Sequence, residues 1–332
     1  MIVGGSGSSI ELLKSEYPHL QYIHLPSFKV VYGKRYPAWL MIFTILPRII
    51  YGIIREHLMI KKIIKENSIN IIIADARYGL WHSGIPSYLI THQIFFQLPY
   101  PVKIVQFLIN HINLLAMKRF DQVWIPDFAG RINLSGKLSH AANMPDNVAY
   151  TGPLSRFDNL TANQSVPGSY EILVVLSGPE PQRSVFEQMI TKQLISCQKK
   201  SLIICGTPSV NFTTSLSPFC TKISWLSGEK LGHLILATEN IICRSGYSTI
   251  MDLIALNKKA FLVPTPGQTE QEYLAQYLSE KGLFLYGKQE DFNLDDALDS
   301  LSNHNPVFNF PQEDLLDHII SSSAIIKNSV SK

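Results

Sequence analysis

Apolar positions along the chain follow two alternating rhythms. Short runs rich in Ile, Val and Leu recur along it, and between them apolar residues return at three- and four-residue spacing. The first rhythm predicts buried strands and the second amphipathic helices, so the chain reads as α/β with mostly parallel sheets. In the first half, strands are expected at 21–25, 70–74, 86–91, 121–125 and 148–150, and helices at 8–16, about 37–67 and 102–119. In the second half, strands are expected at 172–176, 202–205, 222–225, 240–243, 260–263 and 283–286. Helices at 182–196, 229–237, 246–255 and 270–279 separate them. The stretch DNLTANQSVPGS (158–169) is polar, contains Pro and Gly, and reads as a linker. The expectation is two doubly wound Rossmann-like domains, 1–157 and 170–332, joined by that linker.

Length agrees, because 332 residues exceed one ordinary hydrophobic core. With 46% apolar and 17% charged residues, a largely disordered chain is excluded. A net charge of +3 is too weak to argue for a nucleic-acid partner. Its distribution is more telling: residues 1–160 hold 16 Lys+Arg and 9 Asp+Glu, while residues 161–332 hold 13 and 17. A basic half joined to an acidic half points to one domain facing an anionic surface or substrate. Cys197, Cys205, Cys220 and Cys243 show no metal-ligand spacing. They read as reduced core residues of a cytoplasmic protein, with no metal or cofactor expected. The glycine- and serine-rich start lacks a basic leader. The apolar stretch WLMIFTILPRIIYGII (39–54) is divided by Pro47 and Arg48 into runs below the ~18 residues of a spanning helix.

Three strand-to-helix turns in the second half carry candidate chemistry. In IICRSGYSTIMDLIA (241–255) a strand ends, Arg244-Ser245-Gly246 turns, and a helix opens. Unpaired N–H groups and the dipole make such a helix start an anion site, and glycine admits a phosphate close to the backbone. Ser245, Ser248, Thr249 and Asp252 are spaced to form one polar stripe, suited to phosphate oxygens followed by a sugar diol, or equally to a capped, solvated helix face. Ser177-Gly178 opens a second such turn, and Gly267, Gln268, Glu270 and Gln271 lie in a third. Loops at the carboxyl ends of strands converge on one crevice in an open α/β sheet, so the three together point to a nucleotide-diphosphate pocket.

CRSGYSTIMDL followed by PTPGQTEQEYLA resembles the donor-binding signature of GT-B glycosyltransferases with a family 28 C-terminal domain. The likeness covers about 172–285 and, more weakly, 75–157. It implies that Ser177 and Gly178 form the first donor loop and that the backbone around Leu226 reads uracil. It implies that Arg244, Ser245, Gly246 and Thr249 approach the diphosphate, Asp252 binds the ribose hydroxyls, and residues 268–271 read the donor sugar. Arg156 resembles an arginine that reaches the diphosphate and offsets leaving-group charge. No Asp-x-Asp is present, which fits metal-independent transfer. The family's Gly-x-Gly-His loop is absent, so about 30 residues, one βα unit, are expected to be missing before Met1.

On the acceptor side, Asp75 and His92 close the strands expected at 70–74 and 86–91, and an imidazole can take a proton from an acceptor hydroxyl. His92 reads equally as a hydrogen-bonded structural residue, and His82 and Asp127 are further candidates. The basic, apolar stretch 39–65 either lies on an anionic membrane surface or packs on the sheet with its lysines in water. The expected function is inverting, metal-independent transfer from a UDP-sugar, UDP-N-acetylglucosamine foremost, to an unidentified and lipid-linked acceptor on the inner face of the membrane. A nucleotide-sugar-binding protein without turnover and a UDP-sugar 2-epimerase are the alternatives.

Overall fold

The computed structural model describes residues 1–26, 38–97, 103–158, 160, 170–208, 210–226, 228–308 and 310. The expected linker lies outside them except for Asp158 and Leu160. The chain divides into two compact units, Met1–Gly152 and Pro153–Phe310 among these residues. Residues 153–157, expected to end the first domain, fold with the second. Leu154 N–H meets Met251 Sδ at 3.4 Å, and Ser155 Oγ donates to Asp252 at 2.7 Å.

The first unit begins with β1 (Ile2–Gly5), α1 (Ser8–Glu16) and β2 (Gln21–His24); the two strands pair in parallel. After α2 (Ala38–Glu66) come β3 (Ile72–Asp75), β4 (Ser87–Ile90), α3 (Lys103–Met117), β5 (Gln122–Ile125) and β6 (Val148–Tyr150). These four strands form a parallel sheet in chain order, β3-β4-β5-β6. Ile72, Ala74, Leu89, Val123 and Ile125 bury one face against Ile60 and Ile63 of α2 and Met117 of α3. The opposite face carries Tyr88 and Trp124, their rings tilted against each other with centroids 4.7 Å apart. Pro47 does not end α2, which runs through it.

The second unit contains β7 (Ile172–Val175), α4 (Gln182–Ser196), β8 (Ser201–Ile204), β9 (Thr213–Ser215), β10 (Cys220–Ile223), α5 (Gly228–Ala237) and β11 (Asn240–Cys243). It continues with α6 (Tyr247–Ala255), β12 (Phe261–Leu262), α7 (Thr269–Glu280), β13 (Leu285–Tyr286) and α8 (Leu294–Asn303). The sheet order is β13-β12-β11-β7-β8-β10-β9, parallel except for the antiparallel edge strand β9. Strands β7 and β8 are buried along almost their whole length, as strands with both faces covered must be. Phe186, Ile190 and Leu194 of α4 and Leu298 of α8 pack against them in one core. The four cysteines are free thiols, three of them buried.

Candidate functional site

Strand β7 lies at the centre of its sheet. The chain leaves it toward β8 and β10 on one side, then returns through α5 to β11 on the other. Loops leaving β7 and β11 therefore run in opposite directions and leave a crevice between them, the place where open α/β sheets bind ligands. The Ser177-Gly178 turn and the Arg244-Ser245-Gly246 turn stand there, side by side, because Cys243 pairs with Val175.

Gly246 is the N-cap of α6, in extended conformation, and no side chain caps the helix. As the N-cap, glycine brings no side chain of its own into the space before the helix. A Cβ added at Gly246 would meet nothing nearer than Thr249 Oγ1 at 3.9 Å, so the space in front of the helix is open. Ser248 is exposed and Thr249 half-buried beside it, while Ile250, Leu253 and Ile254 face the core. Gly178 adopts φ +99°, a conformation glycine takes without strain, and approaches Thr265 of the third turn.

Asp252 is buried one and a half turns along α6. It accepts from Ser155 Oγ at 2.7 Å and pairs with Arg156 Nε at 3.4 Å. Burial raises its carboxyl above the ordinary aspartate range, while the Ser155 hydrogen bond and Arg156 pull it down. Arg156 is half-exposed and stacks on Phe157 at 4.8 Å. One segment, 155–157, thus fixes the carboxylate and places a guanidinium beside it.

Three expectations need correction. Arg244 does not approach the crevice: it is fully buried over the Phe186 ring, 4.6 Å from its centroid. Its guanidinium donates to the carbonyls of Val263 (3.1 Å), Pro264 (3.2 Å) and Gln182 (3.0 Å), and to Gln289 Oε1 (2.7 Å). The two terminal nitrogens of one planar group reach carbonyls of several loops at once, which makes Arg244 a strut under the site. Burial lowers its guanidinium to about 10. Ser245 is likewise turned inward, its hydroxyl donating to the Gln271 carbonyl at 2.8 Å, so it leaves the expected polar stripe. Gln271 is committed in the same way, its Oε1 accepting from Thr265 N–H at 2.9 Å. Gly267, exposed with φ +82°, together with Gln268 and Glu270 forms the accessible part of the third turn. Leu226 is half-buried after β10.

In the first unit, Asp75 and Ile90 are register partners, so Asp75 and His92 stand at the same edge of neighbouring strands. Partial desolvation raises the Asp75 carboxyl, and His92 and Arg77 draw it back. The structure therefore brings the two sequence candidates together. At the end of the next strand, β5, it also places buried Asp127 against His140, a histidine the sequence did not single out.

Residues 172–315 match the family model of the glycosyltransferase family 28 C-terminal domain. An uncharacterized glycosyltransferase of Methanosarcina acetivorans is 23% identical over 259 residues, 70% of this chain and 63% of that protein. The UDP-N-acetylglucosamine--N-acetylmuramyl-(pentapeptide) pyrophosphoryl-undecaprenol N-acetylglucosamine transferase of Desulforudis audaxviator is 47% identical over 56 residues, 16% of this chain and 15% of its own. Among solved structures, the calicheamicin glycosyltransferase CalG4 is similar with a TM-score of 0.59 at 12% identity, over 99% of this chain and 89% of its own. A Listeria monocytogenes protein assigned as a UDP-N-acetylglucosamine 2-epimerase reaches 0.61 at 12% identity, over 100% and 89%. The chain has the GT-B fold, and residues 172–315 resemble a glycosyltransferase family 28 C-terminal domain. It spans about 63% of the length of the Methanosarcina relatives.

Proposed function

We propose that the chain transfers a sugar from a UDP-sugar to a hydroxyl acceptor, with inversion and without a metal. UDP-N-acetylglucosamine is the proposed donor, supported by the Desulforudis transferase that this chain resembles over 56 residues. The observation that carries the reading is the glycine start of α6 with open space in front of Gly246, and Asp252 farther along the same helix. The amides meet the diphosphate, Asp252 accepts from the ribose hydroxyls, and Arg156 offsets charge on the departing UDP. Ser177, Gly178 and the backbone near Leu226 border the nucleotide, and Gly267, Gln268 and Glu270 the sugar. The acceptor belongs to the first unit, where an imidazole at the carboxyl edge of the sheet takes its proton; His92 beside Asp75 is the pair the sequence singles out. A lipid-linked acceptor at the inner face of a membrane suits the basic, apolar surface of α2.

The test is Gly246→Ala. Its backbone conformation suits any residue and the added methyl meets open space, so stability changes by less than about 1 kcal/mol. UDP affinity, measured by calorimetry, falls at least roughly tenfold because the methyl occupies the phosphate's place, a loss of about 1.4 kcal/mol. Uridine, which has no phosphate, binds the variant as it binds the wild type. Unchanged UDP affinity would remove the donor site from this helix, and interconversion of UDP-sugars without an acceptor would reassign the chain as an epimerase.

A further inference from the structure

At the carboxyl end of β5 the chain folds residues 127–140 around one carboxylate. Asp127 is fully buried and accepts from the backbone N–H groups of Phe128 (2.7 Å), Leu134 (2.8 Å) and Ser135 (2.8 Å). It also accepts from the Ser135 hydroxyl, which in turn pairs with the Ser139 hydroxyl. The last donor is His140 Nε2 at 3.1 Å. The His140 ring stacks on Tyr150 with centroids 4.8 Å apart, and the Tyr150 hydroxyl donates to the Ser139 carbonyl at 2.8 Å. One ring nitrogen and one ring face are thereby held, while 16% of the side chain remains open to solvent.

This arrangement fixes a tautomer. With Nε2–H given to a carboxylate that only accepts, the free lone pair lies on Nδ1, and no described residue bonds to it. Three backbone amides already pin Asp127 and its loop, so the imidazole adds little that the loop lacks. Its position matters more. The Leu138 carbonyl accepts from the N–H groups of Ile94 and Phe95, both at 2.9 Å, which fastens this loop to the one carrying His92. His140 therefore stands at the same sheet edge as Asp75 and His92. Of the two imidazoles, His140 has the better-fixed carboxylate: Asp127 is fully buried with five donors, whereas Asp75 is exposed.

We infer that His140, oriented by Asp127, is the base that takes the proton of the attacking hydroxyl, in place of His92. The inference rests on the transfer reading above. As the acceptor oxygen bonds to the anomeric carbon, the bond from that carbon to the β-phosphate oxygen breaks and its electron pair leaves with UDP. The acceptor proton moves to Nδ1, the imidazolium is stabilised by Asp127, and the proton then passes to solvent.

The experiment uses the full chain, UDP-N-acetylglucosamine as probe and water as acceptor. UDP release is followed from about pH 5 to 9, with UDP binding measured alongside. Asp127 and Tyr150 are the titratable groups set against the His140 ring. His140→Gln keeps an amide donor for Asp127, so it retains the wild-type melting temperature and UDP affinity. At saturating donor it loses release by ~10²–10⁴-fold together with the acid limb of that profile. His92→Gln keeps that limb. Release by His140→Gln within about threefold of wild type overturns the inference, as does a limb carried by His92. If His140→Gln melts early, imidazole added to His140→Ala decides: restored release supports the base, and no restoration overturns it. A wild-type chain that binds UDP but releases none overturns the base and leaves the donor site standing. A chain that binds no UDP overturns the donor site itself.

Discussion

Asp252 meets two demands at once, because it must be ionised to accept from a sugar diol yet is buried enough for its carboxyl to be raised. A raised value means that protonation begins at higher pH than for an ordinary aspartate, so UDP affinity falls as pH drops below neutrality, earlier than an ordinary aspartate would cause. Arg156→Ala removes one of the groups holding the carboxyl down, and the fall then begins at still higher pH. Asp252→Asn weakens UDP roughly ten- to hundredfold at pH 7, the ~1.5–3 kcal/mol of hydrogen bonds to a charged group. Calorimetric titration with UDP across this range checks all three, and a pH-independent affinity in the wild type would release Asp252 from the ribose. At this scale the sequence was readable for Gly246 as the start of α6, where the missing side chain leaves open space, and misleading for Arg244. A residue next to a phosphate-binding turn looks like a ligand, but the direction of a long side chain leaving a strand is set by its neighbours. Here the ring of Phe186 and the carbonyls of Val263 and Pro264 draw it beneath the loop. His140 was invisible for a related reason, since its partner Asp127 is brought to it only by the closure of the loop.

Several elements were legible almost to the residue. Helices α1 and α4 and strands β6 and β11 have the bounds that their patterns predict. Strand β9 was not seen, because Thr213–Ser215 is exposed throughout and is a strand only through pairing with β10. Helix α8 was also missed, although its start is written in the chain: Asn293 accepts from the N–H groups of Asp295 and Asp296. The acidic side chains of the same Asp295 and Asp296 complement the helix dipole. Asn293→Ala is therefore expected to cost about 1 kcal/mol. A urea melt would register this as a lower midpoint at unchanged slope, and an unchanged midpoint would mean that α8 is held by its core contacts alone. Those contacts exist, since Leu294 N–H also donates to Gln193 Oε1 at 2.6 Å.

Across the whole molecule, the charge asymmetry of the sequence corresponds to a particular surface of the first unit. Helix α2 buries Glu56, Ile60 and Ile63, and exposes Ile50, Tyr51, Ile54 and Leu58 between Arg48, Arg55, Lys61, Lys62 and Lys65. Among the described residues no helix is long and apolar enough to cross a membrane. The proposed membrane role predicts that the chain co-sediments with anionic vesicles at low salt and far less with neutral ones. Lys61→Glu, Lys62→Glu and Lys65→Glu together weaken that association by several kcal/mol, at about 1 kcal/mol per basic residue near the surface before the added repulsion. Failure to sediment at every ionic strength would leave α2 as a sheet-packing helix only. Helix α3 extends the same theme, with Phe107 at 70% exposure and Leu108, Ile112 and Leu115 also open. For anyone handling the purified protein, these greasy ridges foretell stickiness: clumping on concentration, relieved by a mild detergent that coats them.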